Sequence, residues 1–121
     1  MYLGVAVEDG QDDLAYLVDK VRHLRIFADS AGKMNLDVSE AGGEVLVVSA
    51  FTTQADARRG RRPSFDAAAR PDDAKPAVER FCEMLLAAGL TVRQGVFGAY
   101  MDVVSHNDGP ICILLDSKRQ F

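Results

Sequence analysis

Glu44-Val45-Leu46-Val47-Val48-Ser49-Ala50-Phe51 is the most nearly continuous apolar run in the chain. Polar and apolar residues do not alternate in it, so it reads as a strand buried on both faces, the pattern of an interior strand in an α/β sheet. Such a strand needs helices over it, and two stretches supply them. Leu14, Leu17, Val18, Val21 and Leu24 recur at three- and four-residue spacing. That is one apolar stripe on a helix, with Asp12 or Asp13 as a cap and Arg22, His23 and Arg25 toward its far end, where cations are favoured. Val78, Phe81, Cys82, Leu85 and Leu86 form a second stripe. Asp72 or Asp73 can cap that helix, Pro76 is tolerated in a first turn, and Gly89 stops it.

Shorter extended pieces surround these elements. Tyr2 to Val7 reads as a buried strand, Ile26-Phe27 and Met34-Asn35-Leu36 as brief strands about the turn Ser30-Ala31-Gly32-Lys33. Thr91 to Val96, Tyr100 to Ser105 and Ile111 to Leu115 read as three more. The order β-α-β-β-β-α-β-β-β predicts an α/β domain, a mixed or mostly antiparallel sheet with two helices covering one side. At 121 residues the chain is read as one domain spanning 1–121.

Composition narrows the function. The net charge is -4, so the surface as a whole does not suit a polyanion, and anion binding needs a local patch. Cys82 and Cys112 have no Cys-x-x-Cys spacing, which fits a reducing cytosol and argues against a disulfide framework or thiolate zinc site. No His, Asp, Glu and Cys spacing suits a metal, no glycine-rich nucleotide loop is present, and no cofactor is implied. The opening Met-Tyr-Leu-Gly-Val-Ala-Val-Glu has neither a basic leader nor a span-length apolar stretch.

The candidate chemistry lies at two places. Ser49, Thr52 and Thr53 put hydroxyls at the exit of the apolar strand, free to bond a ligand or to satisfy backbone groups there. Beyond them Arg58, Arg59, Arg61 and Arg62 flank Gly60 within a long polar connection. Guanidinium forks bind phosphate oxygens at two points, so the cluster suits phosphate or RNA, the alternative being scattered surface ion pairs. The second place is Asn107-Asp108-Gly109-Pro110-Ile111-Cys112. Its Gly-Pro step is a turn at which a cis peptide costs little, although local sequence alone favours trans. Cys112 is either a nucleophile with His106 as base or, the simpler reading, an inert buried cysteine in a strand.

Taken together, several stretches resemble the D-aminoacyl-tRNA deacylase family, formerly D-tyrosyl-tRNA deacylases. They are Lys20-Val21-Arg22-His23-Leu24-Arg25-Ile26-Phe27, Gly32-Lys33-Met34-Asn35-Leu36, Gly43-Glu44-Val45-Leu46-Val47-Val48-Ser49, Gly60-Arg61-Arg62-Pro63-Ser64-Phe65, Gly98-Ala99-Tyr100-Met101, Asn107-Asp108-Gly109-Pro110 and Leu114-Leu115-Asp116-Ser117. The resemblance implies a cytoplasmic editing hydrolase that cleaves D-amino acids, and mischarged glycine, from the 3′-terminal adenosine of tRNA. It implies a homodimer, not membrane-bound, with a compact barrel-like sheet and active sites at the interface.

The family's Ser-Gln-Phe-Thr motif falls on Ser49-Ala50-Phe51-Thr52, and its Asn-x-Gly-Pro-x-Thr motif on Asn107 to Cys112. By that likeness Gly109 and Pro110 form a cis gate whose carbonyls reject L side chains by clash. Backbone N–H groups near Phe51 and Thr52 hold the ester, and the tRNA's own 2′-hydroxyl assists hydrolysis. Ser49 and Cys112 accompany the catalytic stretch, Asn107, Ala50 and Met101 border the substrate, and Arg58, Arg59, Arg61 and Arg62 meet tRNA.

The departures are Ala50 for Gln, Cys112 for Thr, and an opening at Tyr2 where members carry a further strand pair ahead. They leave a non-catalytic, tRNA- or protein-binding remnant as the alternative reading.

Overall fold

The computed structural model describes residues 1–120. Its elements run β1 (Tyr2–Leu3), α1 (Gln11–His23), β2 (Phe27–Ala28), β3 (Met34–Leu36), β4 (Val45–Ser49), α2 (Pro71–Ala87) and β5 (Val92–Gln94), with a 3-10 turn at Phe51–Gln54. The class is the expected one: α/β, two helices and mixed pairing. β4 lies between β1 and β5 and pairs parallel with both, while β2 and β3 form a separate antiparallel hairpin. The main sheet is therefore parallel and open, not mostly antiparallel and not a closed barrel. The reason is in the connections: each parallel pair must be joined by a crossover, and α1 with the hairpin serves β1–β4 while α2 serves β4–β5.

The apolar run behaves as an interior strand, with Val45, Val47 and Val48 buried, but Leu46 is open to solvent. The strand stops at Ser49, two residues earlier than the apolar run, because Ala50 turns the backbone. The Thr53 N–H donates to the Ala50 carbonyl at 3.1 Å, and the Ala55 N–H to that of Thr52 at 3.2 Å.

The core lies between sheet and helices. Phe81, Cys82 and Leu85 of α2 have no exposed surface, and Val47 has 1%. Leu14 and Val18 of α1 join them, with Leu17 and Val21 packed against the cluster. The α1 stripe and most of the α2 stripe thus bury as their periodicity predicts, but Leu86, read as part of the second stripe, is 51% exposed. Two boundary details differ. Asp13 is not the cap of α1 but stands in its first turn, its Oδ2 accepting from the Gly10 N–H at 2.8 Å. α2 begins at Pro71, which puts Pro76 inside the helix, where it offers no N–H to the carbonyl one turn earlier. Gly89, at φ +86°, ends the helix as expected.

The largest difference is C-terminal. Tyr100 to Ser105 and Ile111 to Leu115 are not strands. Their apolar, β-branched composition reports a preference for extended chain. A strand also needs a second backbone to accept its ladder, and none pairs with them among the described residues.

Candidate active site

The first site element grows from the end of β4. The Ala50 N–H donates to the Leu3 carbonyl at 2.8 Å, which holds the exit of the strand against β1. In the 3-10 turn that follows, the Phe51 and Thr52 N–H groups find no acceptor among the described residues, as the first amides of such a turn must. The Thr53 hydroxyl donates back to the Ala50 carbonyl at 2.9 Å, so of the three hydroxyls considered this one serves the backbone. Ser49 is half-buried and Thr52 exposed. A groove of about 320 Å³ opens beside Ser49, where the C-terminal ends of parallel β4 and β5 meet α2; Gln94, Gly95, Val96, Phe97, Lys75 and Glu79 line it. Crevices at that end of a parallel sheet are the usual ligand positions of open α/β folds.

The arginine loop is closed by a bridge between Asp56 and Ser64, with N–H···O bonds of 2.8 and 2.9 Å. Phe65 then stacks edge-on against Phe51, ring centroids 5.0 Å apart, which couples the loop to the turn. Arg58 is held by Asp56 through two bonds, Nε to Oδ1 at 2.9 Å and Nη2 to Oδ2 at 2.7 Å. That fork keeps the Asp56 carboxyl well below the usual carboxylate range and raises the Arg58 guanidinium further. Arg59, Arg61 and Arg62 are exposed and join no salt bridge among the described residues. The four arginines therefore divide: one is engaged by its own loop and three face solvent.

The second element is 107–112. The Gly109-Pro110 peptide is cis, and Gly109 has φ +126°. A Cβ at Gly109 would come within 2.6 Å of Ile111 Cγ1 and 2.9 Å of the Ile111 nitrogen, so only glycine fits. Asn107 organises the turn from inside: its Oδ1 accepts from the Ile111 N–H at 3.0 Å, and its Nδ2 donates to Cys112 Sγ at 3.1 Å.

Cys112 is exposed and outside any strand, against the simpler expectation of a buried residue. Its recorded hydrogen-bond partner is Asn107, not His106. The other cysteine, Cys82, is the buried one, and burial pushes its thiol up. Met101 packs its sulfur over Gly95, where a Cβ would approach it to 2.8 Å.

The structure thus brings together Ala50, Phe51, Thr53 and Phe65 in one group and Asn107, Gly109, Ile111 and Cys112 in another. No hydrogen bond joins the two groups among the described residues. Two contributors escaped the sequence reading. Asp56, two residues before Arg58, is one that spacing could have revealed. The other is a contact between Lys118 and the start of α1, with Nζ 2.7 Å from Asp13 Oδ1 and 3.6 Å from Asp9 Oδ1, for which a separation of 105 positions leaves no local signal.

No group of three or more His, Cys, Asp or Glu among the described residues is arranged to hold a metal ion, and no helix is long and apolar enough to cross a membrane. A parallel sheet with backbone donors at its C-terminal end and a separate glycine-proline turn suits ester chemistry governed by main-chain groups more than by a side-chain triad.

Comparison with known proteins identifies the family. The model of the family described as D-Tyr-tRNA(Tyr) deacylase matches residues 1–116. A D-aminoacyl-tRNA deacylase of Anaeromyxobacter dehalogenans is 56% identical over 119 residues, covering 98% of this chain and 80% of that protein. One from Thermotoga petrophila is 53% identical over 121 residues, covering 100% of this chain and 81% of its own length. A solved structure described as a c-Myc DNA unwinding element binding protein superposes with a TM-score of 0.85 at 37% identity, covering 91% of this chain and 75% of that one. The chain belongs to the D-Tyr-tRNA(Tyr) deacylase family, and with it to the hydrolases.

Proposed function

We propose that this chain is a tRNA-editing enzyme that hydrolyses the ester of D-aminoacyl-tRNA and of mischarged glycyl-tRNA while sparing L-aminoacyl-tRNA. The observation that carries the reading is the family match across 1–116, which includes both motif stretches. The free N–H groups of Phe51 and Thr52 hold the ester carbonyl, and the terminal 2′-hydroxyl of the tRNA assists the attack. Ser49, Ala50, Thr52 and Met101 border the reacting end. Cys112 is a neighbour of the site and not its nucleophile, its thiol serving as acceptor to Asn107.

Chirality is enforced at Gly109-Pro110, whose carbonyls occupy the space an L side chain would need. A rigid backbone wall excludes by clash and requires no recognition of the side chain that is accepted. The wall and the 49–52 stretch come from different protomers of a homodimer. That arrangement accounts for two groups of residues with no hydrogen bond between them in one chain, and for the exposed Tyr100, Val104, Ile113 and Leu114. Arg59, Arg61 and Arg62 contact the tRNA phosphates, with Arg58 as the structural member of the cluster. The single domain works in the cytoplasm and needs no cofactor.

The direct test is hydrolysis of D-tyrosyl-, glycyl- and L-tyrosyl-tRNA by the purified chain. Rapid loss of the first two with L-tyrosyl-tRNA intact is expected. Cleavage of all three at one rate would refute the gate, and cleavage of none would leave a tRNA-binding remnant.

A further inference from the structure

Segment 102–115 carries the proposed gate, yet no hydrogen bond along it reaches the rest of the fold among the described residues, and only Val103 and Leu115, near its two ends, are half-buried. Its hydrogen bonds among the described residues are those of Asn107 within the turn. Its main-chain groups bond no other segment. Within the protomer its position is therefore set near its two ends. At one end Met101 sits over Gly95.

At the other the chain turns at Asp116, whose carbonyl accepts from the Arg119 N–H at 3.1 Å and whose Oδ2 accepts from the Gln120 N–H at 2.9 Å. This turn docks on one face of α1. Lys118 Nζ lies between Asp13 and Asp9, and the Arg119 guanidinium covers the Tyr16 ring at 5.1 Å. Both carboxylates are themselves fixed. Asp9 Oδ2 accepts from the Ala6 N–H at 2.8 Å and Asp13 Oδ2 from the Gly10 N–H at 2.8 Å, so Lys118 grips the β1–α1 turn. That turn belongs to a segment that also bonds Ala50, before the 3-10 turn, and residues 67–69, beyond the arginine loop. Lys118 thus refers the gate segment to the same framework that carries the other half of the chemistry.

We propose that Lys118 is a positioning residue for the Gly109-Pro110 turn, acting through Asp13 and Asp9 to fix the reach of segment 102–115. The inference rests on the deacylase reading for its functional consequence, not for the tether itself. Small displacements of positioning groups cost rate steeply. A Lys118→Ala enzyme is expected to lose about ten- to a hundredfold in kcat for D-aminoacyl-tRNA. It should keep its KM for tRNA, since the arginines are untouched, and its preference for D over L substrate should fall. Lys118→Arg, which keeps the charge and two donors, should restore most of both. Asp13→Asn should shift the enzyme in the same direction but less far, since Asp9 still meets the ammonium, and the double variant should be no worse than Lys118→Ala alone.

Heteronuclear NOE values of residues 107–115 provide a readout independent of turnover, and they should drop in Lys118→Ala while those of α2 stay fixed. Wild-type NOE values and wild-type stereoselectivity in Lys118→Ala would overturn the proposal. If the unaltered enzyme hydrolyses no D-aminoacyl-tRNA, the deacylase reading falls, and the NOE comparison still decides whether Lys118 holds the segment.

Discussion

Phe81 and Tyr100 mark the extremes of this molecule, one with 0% and the other with 102% of its surface exposed. Around Phe81 every element is answered by another: α2 lies against the parallel sheet, α1 packs on α2, and the backbone groups find partners. Around Tyr100 the side chains are as apolar, but no second backbone pairs with the chain there among the described residues. The contrast separates two tasks that a small domain must perform. One region supplies folding energy by itself. The other contributes little to folding and presents apolar surface outward, as the proposed gate to a second subunit would require.

The contrast is broken most directly by exchanging what each region can lose. Phe81→Ala leaves a cavity against Leu85 and Val47 and is expected to cost about 3–5 kcal/mol of folding stability, a large part of what a domain of this size possesses. Leu114→Ser, which removes comparable apolar bulk from a residue 78% exposed, is expected to change the stability of an isolated protomer by no more than about 0.5 kcal/mol. Urea melts at low protein concentration check both. The same Leu114 variant should weaken self-association in sedimentation experiments. A large loss of protomer stability there would show that segment 100–115 is part of the fold.

Gly109→Ala sharpens the comparison from the other side. At φ +126° the added methyl meets Ile111 at 2.6 Å, so the turn must rearrange at a cost of about 1–3 kcal/mol. Because the turn bonds nothing outside itself, that rearrangement should stay local. The melting temperature should fall by only several degrees, with the transition still cooperative, while D-aminoacyl-tRNA turnover collapses. Loss of the cooperative transition would mean that the turn is integral to the core.

How far the sequence could be read follows the same division. Periodicity found both helices, and the continuous apolar run found the interior strand, because burial is written locally in side-chain spacing. Gly32 and Gly89 were legible for a similar reason, each standing where the chain needs a positive φ. Pairing was less legible. Tyr100 to Ser105 and Ile111 to Leu115 have strand composition without a strand, since a ladder depends on a partner that composition does not name. At the site, the hydroxyls, arginines and Gly-Pro step were visible as residues. Their states were not: that Arg58 is consumed by Asp56, that Thr53 bonds Ala50, and that Cys112 faces solvent are outcomes of tertiary geometry.

The arginine loop tests that point with a smaller effect. Arg61→Ala and Arg62→Ala should each weaken tRNA binding and lower the salt dependence of the affinity by about one unit of slope for each phosphate contact removed. Arg58→Ala should do less to the slope and more to the loop, since its fork already neutralises Asp56. Equal slopes for all three variants would mean that Arg58 leaves Asp56 when tRNA arrives.

The smallest effect concerns the join between the two regions. Lys118 beside Asp13, followed by the Gly10 N–H, lowers the Asp13 carboxyl from 3.8 to about 2. A carboxyl whose folded value lies below its unfolded one binds its proton more readily in the unfolded chain. Its contribution is therefore complete above the unfolded value and disappears as pH falls from about 4 toward 2. The pair is partly open to solvent, so the amount is small, that of a screened surface ion pair. Urea melts of the unaltered protein and of Lys118→Ala should accordingly differ by that amount near neutrality. The two should converge on acidification through this window, at which point Asp13 is protonated in both and Lys118 has no charge to meet. A difference that persists unchanged through acid would mean that the lysine stem, packed along α1, and not its ammonium, holds the tail.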